Sequence, residues 1–61
     1  MENKVRDRRQ RLELTQAQLA ACSGVPESTI SEIETGKRTP GVDVALALAK
    51  ALHCTVEYLF S

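Results

Sequence analysis

The chain has 61 residues, eight acidic against eight basic side chains, two cysteines, and Tyr58 and Phe60 as its only aromatics. A chain this short buries only about 60% of the surface its unfolded form exposes, so it forms one domain with an aliphatic core. Its two cysteines lack the density of a disulfide scaffold and any CxxC or His-rich zinc spacing. No signal-peptide pattern is present, and no apolar run approaches the ~18 residues of a membrane span.

The first helix is predicted from about Asn3 to Leu12, with Val5, Arg8, Arg9 and Leu12 on its inward stripe. Two arginines on that stripe are unusual. Arg8 can lay its stem along the core edge with its head in water, whereas Arg9 needs a partner. Thr15 and Gln18 form a capping-box pattern that starts a second helix, from Gln16 to about Cys22. Leu19 and Ala20 face inward, Leu14 precedes the cap, and alanines at 17, 20 and 21 allow close helix approach. Gly24 ends the helix at a position that requires positive φ. Val25 and Pro26 open a third helix, Glu27 to Thr35, which stops at Gly36.

A loop at Thr39, Pro40 and Gly41 leads to a fourth helix, Val42 to Leu52, with Val44, Ala45, Leu48 and Leu52 inward. Thr55 caps a last short helix, Val56 to Phe60, which reads as a finished end, with Glu57 near its positive pole. Repeats and linkers are absent. Residues 1–61 are expected to be one all-α, five-helix unit, with Cys22 and Cys54 as small core fillers.

At 100° per residue, Ile30 and Ile33 of the third helix face the core. Ser28, Ser31, Glu32 and Thr35 fall on the opposite arc, with Glu27 at its border. A short helix braced on another, with small polar residues outward, has the geometry that enters the DNA major groove. Glu34 lies at the flank of the buried stripe, where a lone carboxylate is costly. Arg9 has the complementary difficulty, so an Arg9–Glu34 ion pair tying the first helix to the third is expected.

Zero net charge weakens any case for tight non-specific nucleic-acid binding. The bases are nevertheless clustered: Lys4, Arg6, Arg8, Arg9 and Arg11 crowd the first helix, and Lys37 and Arg38 follow the third. That distribution is compatible with a locally positive face. Ser28, Thr29 and Ser31 have no base placed to activate a nucleophile, and no residues support an enzyme. A metal, cofactor or small-molecule ligand is not expected.

The segments LTQAQLA, SGVPESTISEIETGK and TPGVDVALALAKALHCTVEYLF together resemble the Cro/C1-type (XRE) helix-turn-helix family, to which lambdoid phage repressors belong. The likeness runs from about Val5 to Phe60, with the helix-turn-helix at about 15–35. It implies the lambda-repressor-like five-helix fold. It also implies phosphate contacts from Gln16, Thr29, Thr35, Lys37 and Arg38, and base contacts from Glu27, Ser28, Ser31 and Glu32. The family's buried Arg–Glu pair maps onto Arg9 and Glu34.

Three positions depart from that pattern. Arg8 stands where an aliphatic residue is usual, and His53 stands where Gly commonly ends the fourth helix. The outer face of the third helix carries Glu27 and Glu32 without Arg or Lys, and carboxylates can accept from cytosine N4. Tyr58, Leu59 and Phe60 are read as a two-fold dimer contact, because a symmetric dimer reads two half-sites ~34 Å apart. The expectation is a cytoplasmic, nucleoid-associated, bacterial or phage-encoded repressor that binds a palindromic operator on double-stranded DNA as a homodimer. An antitoxin or protein-interaction adaptor on the same fold is the alternative.

Overall fold

A computed structural model describes residues 3–61, with five α-helices and no strand among the described residues. They are α1 (Val5–Arg11), α2 (Gln16–Ser23), α3 (Glu27–Glu34), α4 (Val42–Ala51) and α5 (Val56–Phe60). The fold is a near-isotropic bundle of 22 × 21 × 19 Å. At its centre α2 packs against both α3 and α4, while α1 leans on α3 and α5 on α4.

Local chemistry sets most boundaries. Asn3 Oδ1 accepts the Val5 N–H at 3.1 Å, so Asn3 serves the start of α1 from outside the helix. The α2 capping box is complete: Thr15 Oγ1 accepts from Gln18 N–H at 3.0 Å, and Gln18 Oε1 accepts from Thr15 N–H at 2.8 Å. Gly24 ends α2 at φ 77°, its N–H reaching Ala20 O. Ser23 extends that helix by one residue, donating Oγ to Leu19 O at 2.8 Å and accepting Val25 N–H at 3.2 Å. At α5, Thr55 Oγ1 accepts the Tyr58 N–H at 3.0 Å.

The fully enclosed large side chains are Val5, Leu19, Ile30, Ile33, Leu48, Leu52 and Leu59, joined in the core by Val25, Ala45 and Ala49. Three helix starts place an apolar residue just before the cap in the same cluster as the fourth residue of the helix. The pairs are Leu14 with Leu19, Val25 with Ile30, and Cys54 with Leu59. This is the hydrophobic-staple arrangement, which fixes the entry angle of the chain. It brings in Val25, which the stripe reading had left out.

Three expectations are corrected. Arg8 does not send its head to water: Nε donates to Leu52 O at 2.9 Å and Nη2 to His53 O at 3.4 Å. It thereby serves the otherwise unsatisfied carbonyls that close α4. Cys22 is exposed rather than a core filler, because it lies on the rim of α2 with Ala47, Lys50 and Ala51 across an open groove. Cys54, by contrast, is half-buried against the core as expected; burial pushes its thiol pKa up, opposed by the nearby Arg8 guanidinium. Leu59 cannot belong to a dimer surface, because it is fully enclosed as the inward residue of α5.

Candidate nucleic-acid interface

Glu34 organises the helix-turn-helix from inside. Its side chain is fully enclosed, and Arg9 grips it bidentately, Nε on Oε2 at 2.8 Å and Nη2 on Oε1 at 3.2 Å. Oε1 also accepts the Gln16 amide at 3.1 Å and Arg6 Nε at 3.3 Å. Arg9 Nη1 goes to Leu14 O at 2.8 Å. One carboxylate thus ties α1, the start of α2 and the end of α3 together.

Burial alone would raise the Glu34 pKa. Hydrogen bonds from Arg9 and Gln16, the Arg9 charge and the Arg6 bond outweigh it, so the carboxyl lies below its ordinary range. The hydrogen bond to Glu34 correspondingly raises Arg9, against the opposing effect of its own burial. The sequence reading missed Arg6 as a second cation at this junction. Its spacing of three from Arg9 was the available signal, since i and i+3 share a helix face.

The first-helix bases do not pool into one positive face. Arg6 and Arg9 converge on Glu34, and Arg8 turns to the end of α4. Arg11 pairs with Asp7 one turn back at 3.0 Å, and Lys4 Nζ sits 4.9 Å from the Tyr58 ring centre. Local charge therefore remains chiefly where Arg6 and Arg9 outnumber Glu34, beside Gln16 at the first turn of α2. A helix N-terminus there also favours an anion. The Gln16 amide is already committed to Glu34, which holds the side chain in place.

The outward side of α3 is graded. Glu27 and Ser28 are exposed at its start; Thr29, Ser31 and Glu32 are half-buried; Thr35, Lys37 and Arg38 are exposed after its end. Thr35 Oγ1 turns back to Ser31 O at 3.0 Å and Glu32 O at 3.2 Å. With Gly36 at φ 79°, the chain doubles over the helix end. Lys37 N–H and Arg38 N–H both donate to Glu32 O, at 2.9 and 3.2 Å. Arg38 Nε then returns to the Glu32 side chain at 3.0 Å.

Among the described residues, Val42, Leu46 and Tyr58 are the large apolar side chains that stay exposed, Val42 at 77%. Val42 and Leu46 line an open groove of about 320 Å³ with Pro40, Gly41, Ala45 and Val56. Phe60 is half-buried at the end of α5. Among the described residues, no group of His, Cys, Asp and Glu could hold a metal ion, and no helix is long and apolar enough to cross a membrane.

Comparison with known proteins places this geometry. The helix-turn-helix family profile matches residues 5–59. The chain is 39% identical to repressor protein C2 of Salmonella phage P22 over 59 residues, 97% of this chain and 27% of that protein. It is 38% identical to an uncharacterised HTH-type transcriptional regulator of Mycobacterium tuberculosis over 56 residues, 92% of this chain and 40% of that protein. The chain thus spans well under half the length of these two relatives. A third relative, the uncharacterised HTH-type regulator YgzD of Bacillus subtilis, is 35% identical over 60 residues, 98% of this chain and 91% of that protein.

Among solved structures, the restriction-modification controller protein C.AhdI of Aeromonas hydrophila superposes with a TM-score of 0.88 at 33% identity. That match covers 93% of this chain and 86% of C.AhdI. The family match, the relatives and the superposed fold agree: the chain belongs to the Cro/C1-type (XRE) helix-turn-helix family of transcriptional regulators.

Proposed function

We propose that the chain is a sequence-specific double-stranded DNA-binding regulator that acts at the nucleoid as a homodimer on a palindromic operator, as a repressor that occludes polymerase. The observation that carries this reading is the Glu34 junction. It braces α3 on α1 and α2 while leaving the outward side of α3 open. A braced helix with small polar residues outward can enter the major groove without losing further conformational entropy.

In this reading Glu27, Ser28 and Ser31 face base edges, with Glu32 beside them on the same side of α3. Gln16, Thr29, Thr35, Lys37 and Arg38 face phosphates and fix the register. Arg6, next to the Gln16–Glu34 contact, adds charge at the α2 terminus. Few cations take part, so binding weakens only moderately with salt.

The homodimer uses the α4–α5 end. With Leu59 inside the core, the available surface is Tyr58, Phe60, Val42 and Leu46. A second copy is the expected occupant, because one short helix makes too few base contacts for a specific site while a two-fold pair reads two half-sites. An acidic face on α3 would favour the adaptor alternative. Half of that acidity is neutralised there by the Glu32–Arg38 pair.

Selection of bound duplexes from a random pool tests the DNA reading, and sedimentation of wild type against Leu46→Glu and Phe60→Glu tests the dimer. The expected result is an inverted-repeat site and a wild-type mass of two chains that falls to one in the variants. Failure to enrich any duplex would reject the first part. A single-chain mass for wild type, free and on DNA, would reject the second.

A further inference from the structure

We infer that Glu32 is a positioning residue for Arg38, and that the two work as one unit that aims a guanidinium at the DNA backbone. This rests on the DNA-binding reading and changes the role of its most anomalous residue. A carboxylate on the outer side of α3 would by itself repel the phosphates the helix must approach. The basic residues that directly follow that helix, Lys37 and Arg38, sit in a loop, where a long side chain would ordinarily sample many rotamers.

The geometry resolves both difficulties. The loop backbone is pinned independently of side chains, with Gly36 at φ 79° and the N–H groups of Lys37 and Arg38 on Glu32 O. Glu32 Oε1 then takes Arg38 Nε at 3.0 Å. Holding an arginine by Nε leaves its two terminal Nη groups free as a parallel pair of donors, the edge that meets a phosphate bidentately. The Arg38 side chain remains 54% exposed and that of Glu32 45%, so the free edge is reachable. The carboxylate meanwhile spends its charge on Arg38 and no longer repels DNA as a lone acid.

Two models of Glu32 therefore make opposite predictions. As a direct reader it accepts from cytosine N4, and Glu32→Gln would shift preference at one base pair toward adenine. As a positioning residue it needs only to remain an acceptor for Arg38 Nε, so Glu32→Gln keeps the base preference.

The test is equilibrium binding of the full chain to its selected duplex and to a scrambled one across a salt series. The variants are Glu32→Gln, Glu32→Ala, Arg38→Ala and the Glu32→Ala/Arg38→Ala double mutant, with circular dichroism melts to confirm folding. Glu32→Ala is expected to bind the selected duplex about fivefold more weakly although it removes a negative charge. Glu32→Gln should stay within about twofold of wild type with unchanged base preference. Arg38→Ala should flatten the salt slope by ~1, and the double mutant should bind no worse than Arg38→Ala.

Equal or tighter binding by Glu32→Ala would overturn the inference, as would a shifted base preference in Glu32→Gln or additive losses in the double mutant. A wild-type chain that enriches no duplex would instead overturn the DNA-binding reading itself.

Discussion

The two ends of this bundle are built on different principles. At the α1–α2–α3 end, one enclosed carboxylate collects Arg6, Arg9 and Gln16, and every helix there is tied to its neighbours by directional bonds. At the α4–α5 end, Val42 and Leu46 stand open beside Val56, and the exposed surface is apolar and offers no directional bond. Hydrogen bonds fix angles, whereas apolar contact fixes mainly proximity. The first end therefore has the character of a surface that must present atoms in register. The second has the character of one that must be covered.

The contrast breaks most severely at Glu34. Glu34→Gln leaves Arg9, whose side chain is only 12% exposed, without a counter-charge. The expected loss is on the order of 3 kcal/mol, and at about 4–8 °C per kcal/mol for a domain of this size a thermal melt will show it. The pH dependence sharpens the point. Because the folded Glu34 pKa is depressed below its usual 4.5, its contribution is fully present above that value. It is lost as pH falls through the lower folded value. Wild type should lose stability in that acid window, and Glu34→Gln should lack that component.

A smaller effect is expected at the turn between α2 and α3. Gly24 has φ 77° with open space around a would-be Cβ, so Gly24→Ala is disfavoured by backbone strain alone. It should cost about 1–2 kcal/mol by denaturant titration. The smallest effect has the opposite sign. Glu13 and His53 are exposed non-glycine residues at φ 59° and 55°. Glu13→Gly and His53→Gly relieve that strain at the cost of a freer unfolded chain, leaving an expected gain of up to about 1 kcal/mol each. Losses at these two sites would mean that the side chains make contacts worth more than the strain.

Features that depend on a few neighbouring residues were legible from the sequence. The Thr15–Gln18 box, the Gly24 stop and the Thr55 cap each need only three or four positions. The Arg9–Glu34 pair was legible for another reason: two inward charges on an aliphatic stripe each require a partner, and they are opposite in sign. What could not be read depends on how helices cross. Arg8 finds the carbonyls of residues 52 and 53 only because the fold brings the end of α4 within reach of its side chain.

Arg6 and Gln16 join Glu34 only once three helices converge, and Glu32 with Arg38 meets only because the chain folds back after Gly36. In α5, a helix of five residues has too little periodicity to say which of Tyr58, Leu59 and Phe60 turns inward. Cys22 posed the same difficulty in the last turn of α2.

The contact of Lys4 N–H with Leu59 O at 2.9 Å has a topological consequence. It sets the strands of chain entering and leaving the bundle side by side, so the five helices form a nearly closed loop in space. Any polypeptide continuing from either side would emerge at one corner, next to Tyr58 and on the same side as Lys4. A fused module attached there would share a single hinge point whichever end carried it. Two units could be joined in tandem by a linker whose length is set by their separation rather than by a path around the domain.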